Sequence, residues 1–220
     1  MPVYLDTDFN HLTDLNSKLN NELNNELNYK NSFLNNWYLL QQRALSERIP
    51  VISIKNAYFL RTVLQQYSPT YMLEIGSAVG VSSAWIGHIL YDWSGQLDTI
   101  DIGLINYQQT KTNLNHLNIH NVQVYHSDAL VWLEQRKTKK IHLLYQYDCI
   151  FIDAHKLQSH SFYTACLSHL KPNGLIIIDD AWKFRHKMTA LYALMAAHNQ
   201  SYCLYFVDNE DATLIVKPIF

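Results

Sequence analysis

Three aspartates at two apolar strand ends are the residues most able to do chemistry. "YDCIFIDAHK" runs into Asp153, with His155 and Lys156 just beyond, and "LIIIDDAW" runs into Asp179, Asp180 and then Trp182. Adjacent parallel strands bring their carboxyl ends together, so these side chains can converge on one point. Unpaired buried carboxylates are costly and tend to take up protons. A divalent cation would remove that cost, and oxygen-only ligation suits Mg²⁺, with Ca²⁺ or Mn²⁺ also compatible. The competing reading has Asp180 capping a helix, Asp179 facing a cofactor and no metal bound.

A second group of residues suits a nucleoside. "LEIGSAVGVSS" reads as a strand, a tight turn and a helix start. Gly76 and Gly80 let the backbone turn and approach a ligand, with Ser77 inside the loop and Ser82 and Ser83 able to cap the helix or meet a carboxylate. The loop lacks the GxGxxG spacing of pyrophosphate binders. Glu74 ahead of it suits a cationic ligand better than a pyrophosphate. "TIDIG" places Asp101 about 20 residues beyond Gly80, where an acidic residue bonds a ribose. "VYHSDAL" offers Asp128, between Ser127 and Ala129, to an adenine amino group. A nucleoside with a cationic, amino-acid-like tail describes S-adenosylmethionine.

These residues need a scaffold that gathers strand ends. From Val51 onward, apolar runs "YMLEIG", "LDTIDI", "VQVYH", "YDCIFIDA", "GLIIIDD", "SYCLYFV" and "TLIVKPI" appear, the first six separated by helix-length segments. This alternation predicts an α/β fold, a Rossmann-like doubly wound sheet of seven strands with helices on both faces. Only "DNEDA" separates the last two runs, so the final strand should lie antiparallel in an otherwise parallel sheet. Ligands then bind beyond the carboxyl ends of the strands.

Ahead of this domain, expected over residues 49–220, the first 48 residues read as a helical segment. Leu15, Leu19, Leu23 and Leu27 make one apolar stripe among asparagines. Such a helix packs on its own domain or on a partner in a homodimer.

With 220 residues, 48% hydrophobic and a net charge of −2, the chain has no global electrostatic pull toward nucleic acid or membrane. No run approaches the length of a membrane helix. The opening residues lack a basic n-region and apolar core, and the three cysteines are scattered, so a reducing cytoplasm is the expected setting. Eleven histidines show no zinc spacing; His155 alone falls at the expected site.

"LEIGSAVGVSS", "TIDIG", "HSDAL", "YDCIFIDAHK" and "LKPNGLIIIDD", in this order, resemble the class I O-methyltransferases from Pro50 onward. The divalent-metal-dependent branch is the most similar, with its catechol and caffeoyl-CoA enzymes and bacterial relatives that methylate 5-hydroxyuridine in tRNA. The resemblance implies that Asp153, Asp179 and Asp180 hold the metal and that Lys156, beside Asp153, deprotonates an acceptor hydroxyl. A neighbouring cation would lower the lysine pKa into a useful range. Asp180 stands where that branch has Asn. After it the pattern departs: "AWKFRHKMTAL" passes almost directly into a helix. Trp182 and Phe184 are candidates for an aromatic acceptor platform. The basic run "KFRHK" could meet phosphates of a tRNA or CoA ester, while "RKTKK" reads as a solvated loop.

Overall fold

A computed structural model describes residues 32–206 and 211–218. The Leu15–Leu27 stripe lies outside these residues.

Helix α1 (Ser32–Ser46) and helix α2 (Ile54–Tyr67) precede strand β1 (Tyr71–Ile75). Then α3 (Val81–Tyr91), β2 (Gln96–Asp101), α4 (Leu104–His116), β3 (Val122–His126), α5 (Ala129–Thr138) and β4 (Tyr147–Ile152) alternate. Helix α6 (Ser159–Leu167), β5 (Leu170–Ile178), α7 (Thr189–Ala197), β6 (Tyr202–Phe206) and β7 (Ala212–Val216) complete the order.

The strands form one seven-stranded sheet in the order β3-β2-β1-β4-β5-β7-β6. Strands β1 to β5 pair in parallel, and β7 pairs antiparallel with both β5 and β6. The expected mixed sheet is therefore present, with β7 inserted between β5 and β6. That insertion explains why β7 is buried at every position. An interior strand covered on both faces is largely apolar, and the one polar side chain of β7, Thr213, is hydrogen-bonded to Asp179.

Each face of the sheet carries its own core. Trp37, Phe59, Trp85 and Leu114 of α1 to α4 cover one side. Leu133, Phe162, Cys166, Leu191 and Met195 of α5 to α7 cover the other. Helix α1 docks on this domain through Trp37, whose ring lies tilted against that of Trp85 at 4.5 Å between centres and whose indole donates to the Val81 carbonyl at 2.9 Å. Among the described residues no helix is long and apolar enough to cross a membrane.

Two local expectations are corrected. "RKTKK" is half helix: Arg136 to Thr138 close α5, where the Arg136 guanidinium lies over the Trp132 ring at 4.5 Å. "FRHK" is turn and a short 3-10 segment, Arg185–Lys187, and α7 starts only at Thr189. The Ala181 and Trp182 amides both donate to the Ala212 carbonyl, which fastens this segment to the start of β7 before a helix can begin.

Candidate active site

The carboxyl ends of β1, β2, β4 and β5 open onto a cavity of about 800 Å³. Its floor is the turn after β1. Gly76 has φ 98, and a Cβ there would lie 2.3 Å from the Asp153 carbonyl oxygen, so only glycine lets β1 and β4 turn side by side. Gly80 has φ 85, with Thr110 directly behind it. Ala78, also left-handed at φ 45, donates its amide to Asp101 Oδ2 at 2.9 Å. Asp101 Oδ1 accepts from the Gly103 amide at 2.7 Å and Asn106 Nδ2 at 3.0 Å. The loop and the second strand end thus lock each other.

Gly76, Ser77, Ser82, Asp101, Ser127, Asp128 and Ala129 all line the cavity. Asp128 also caps α5, its Oδ1 accepting from the Leu130 and Val131 amides at 2.8 and 3.1 Å. Glu74 and Gly80 do not line it. Glu74 is fully buried beneath the loop and accepts from the Ser83 hydroxyl and, at 2.6 Å, from Thr99 Oγ1. Burial raises its pKa to about 7, against the opposing hydroxyls of Ser82, Ser83 and Thr99. The residues present suit a nucleoside ligand: pinned carboxylates, a glycine floor and a volume of drug-like scale.

The other wall is the charged one. Asp153, His155, Lys156, Asp179, Asp180 and Phe184 line it. Lys156 Nζ donates to Asp153 Oδ1 at 2.7 Å and to the Asp179 carbonyl at 3.2 Å, and stands 3.4 Å from Asp180 Oδ2. Asp179 Oδ1 instead accepts from Asn56 Nδ2 and Thr213 Oγ1, each at 3.0 Å. Burial, with the Asp153 charge adding to it, pushes the Asp179 carboxyl up. Asp180 is raised by burial and by a hydrogen bond with Asp211.

Burial alone would lower the Lys156 pKa, but the charges of Asp153, Asp179 and Asp180 outweigh it and hold the lysine at about 12. The lowering expected from the sequence required a metal beside the lysine; its carboxylate neighbours act in the opposite direction. Asp153 and Asp180 meet on an ammonium, and among the described residues no group of three or more His, Cys, Asp or Glu side chains is placed to hold a metal ion. As arranged, these donors do not fit a divalent cation.

Trp182 does not reach the cavity. Its ring meets Phe206 edge-on at 5.2 Å and carries the Arg185 guanidinium at 4.4 Å, because the Ala212 carbonyl holds its amide toward β7. Sequence reasoning missed Asn56, Asn106 and Asp211, which line the cavity together with Lys183 and Lys187 of the basic run "KFRHK". Asn56 had a local signal: it follows the helix-capping Ser53, whose hydroxyl accepts from the Asn56 amide at 3.1 Å.

The solved structure of an O-methyltransferase from Bacillus cereus in complex with SAH superposes with a TM-score of 0.72 at 22% identity, over 87% of this chain and 93% of that one. TomG from Streptomyces achromogenes, an O-methyltransferase involved in tomaymycin synthesis and solved with SAM, gives 0.71 at 17%, over 87% and 91%. The SAH-bound Podospora anserina methyltransferase PaMTH1 gives 0.70 at 14%, over all of both chains. At these identities the likeness concerns the fold. The family model described as O-methyltransferase matches residues 32–199, well over half of the sequence, and the chain belongs to that family.

Proposed function

We propose that the protein uses S-adenosylmethionine to methylate a hydroxyl of a small catechol- or enol-like acceptor at the Lys156 wall of the cavity. The observation that carries this is the Lys156 ammonium, held by Asp153 and Asp180 opposite the glycine floor. When bound, the cofactor supplies an electrophilic methyl group on a cationic sulfur. Asp101 would hold its ribose, and Asp128 its adenine amino group. Glu74 lies beneath the loop that would cradle its tail.

The chain's own residues then act on the acceptor. At neutral pH Lys156 keeps its proton, so it favours an acceptor oxyanion by charge and hydrogen bonding. The lysine engages Oδ1 of Asp153, which leaves Oδ2 to take the acceptor's proton. Phe184 and His155 border the same space and would fix the ring by contact. The test is calorimetric titration with S-adenosylmethionine, followed by transfer of a labelled methyl group to a panel of catechols and enols. Absence of cofactor binding in folded protein sinks the reading.

A larger, polyanionic acceptor such as a tRNA base is favoured by a different observation. Lys183 and Lys187 line the cavity mouth, with their ammoniums 5.4 and 5.1 Å from the centre of the Phe184 ring. Phosphate contacts would make turnover on RNA fall steeply with salt; salt-insensitive turnover rules that class out.

A further inference from the structure

We infer that Lys156 is the resident cation of this site and that the carboxylates at the ends of β4 and β5 take up no divalent metal while its ammonium is in place. The inference rests on reading the cavity as a methyl-transfer site.

Three oxygens surround one Nζ: Asp153 Oδ1 at 2.7 Å, the Asp179 carbonyl at 3.2 Å and Asp180 Oδ2 at 3.4 Å. An ammonium has three protons and no acceptor; two go to Asp153 Oδ1 and the Asp179 carbonyl, Asp180 Oδ2 adds an ion-pair contact, and one proton is left to turn to an acceptor oxygen. The three oxygens come from two neighbouring strand ends. Asp180 has a left-handed backbone, φ 55, and at this bend two consecutive residues present a carbonyl and a carboxylate to the same ammonium. The lysine side chain is only 13% exposed, so its charge is paired rather than solvated.

One oxygen of the third carboxylate is committed elsewhere. Asn56 from α2 and Thr213 from β7 both donate to Asp179 Oδ1. To turn that oxygen onto a metal, the protein would leave two buried donors without their acceptor, a penalty of the kind that buried polar groups avoid. A magnesium ion sits about 2.0–2.1 Å from its oxygen ligands and demands near-octahedral geometry. Placed between Asp153 and Asp180, it would overlap the volume of Nζ. Ammonium and divalent cation therefore exclude each other, and the ammonium has the advantage of being tethered.

Lys156 thus acts as a fixed electrostatic group where a metal would otherwise polarise the acceptor. It differs from a metal in offering directed protons instead of open coordination positions, which suits one oxyanion better than a chelated pair.

The test uses the full chain and Mn²⁺ alone, followed by the loss of the free-ion electron paramagnetic resonance signal. Wild-type protein should leave the signal unchanged, whereas Lys156→Met should bind about one Mn²⁺ per chain with affinity raised at least about tenfold. Adding Asp153→Asn to that variant should abolish the gain. Lys156→Gln serves as a second variant if the methionine change fails to fold, as judged by circular dichroism. Tight Mn²⁺ binding by wild-type protein that Asp153→Asn removes would overturn the inference, as would no gain in either folded lysine variant. Titration with S-adenosylmethionine keeps the two readings apart: binding retained alongside tight wild-type Mn²⁺ uptake defeats only this inference, and binding absent defeats the methyl-transfer reading itself.

Discussion

Asn56 Nδ2 donates to Asp179 Oδ1 at 3.0 Å, joining α2 to the end of β5 across more than half the chain. Asn56 is 5% exposed, and its own Oδ1 has no partner among the described residues. One end of the amide is therefore spent on holding an aspartate. The other remains for a hydrogen-bond donor in the cavity that it lines.

Asn56→Ala should destabilise the protein by about 1–3 kcal/mol, because Asp179 loses one of two donors inside the core. Urea denaturation measures this. Asn56→Asp should cost more, since it sets a second carboxylate against Asp179. Equal stability of Asn56→Ala and wild type would mean that water replaces the amide freely.

Gly76→Ala tests the floor of the cavity. The added Cβ would fall 2.3 Å from the Asp153 carbonyl oxygen, on a residue already at φ 98. Backbone must move, so β1 and β4 part where the glycine loop and Asp153 of the proposed site meet. Cofactor affinity should drop at least about tenfold, while Gly87→Ala, which meets only side chains of Val122 and Ile119 at short range, should lower stability with little effect on binding. Calorimetry on both variants separates the two effects.

The strand ends were legible because burial and chemistry leave different marks. Apolar runs such as "LIIIDD" show where the sheet stops and the site starts, and the short link before β7 dictates an antiparallel partner. The insertion of β7 between β5 and β6 was not legible, since periodicity reports a strand's burial and not its neighbours. The fate of the aspartates was also hidden. Whether Asp179 faces a ligand depends on Asn56 and Thr213, which lie far from it in sequence. Trp182 looked like a platform beside the pocket, yet one carbonyl on β7 sets its direction.

Asp98 carries stability away from the site. Its Oδ2 accepts from Tyr71 at 2.6 Å and Tyr147 at 2.7 Å, and Tyr147 is wholly buried. Asp98→Ala strands two tyrosine hydroxyls at once and should cost about 2–5 kcal/mol. Each Tyr→Phe change removes donor and need together and should cost less, about 1 kcal/mol. Cofactor affinity should be unchanged in the Tyr→Phe variants. A cofactor effect as large as the stability effect would instead tie this network to the cavity.

Glu74 makes stability depend on pH in a window that it shares with Asp179, whose carboxyl is also raised by burial. Burial raises its pKa from the ordinary 4.5 to about 7. A carboxyl raised in the folded state binds its proton more tightly there than when unfolded. Its contribution is fully present below about pH 4.5, erodes as pH rises toward 7, and is gone above that. The span corresponds to about 3 kcal/mol. Glu74→Gln removes the titration, so the variant should gain on wild type by about that amount between pH 4.5 and 7.5. Denaturant midpoints across this range measure the gap. A gap that stays constant with pH would mean that Glu74 titrates normally. S-adenosylmethionine is cationic, so its binding over the loop that covers Glu74 would favour the ionised form and flatten the wild-type slope.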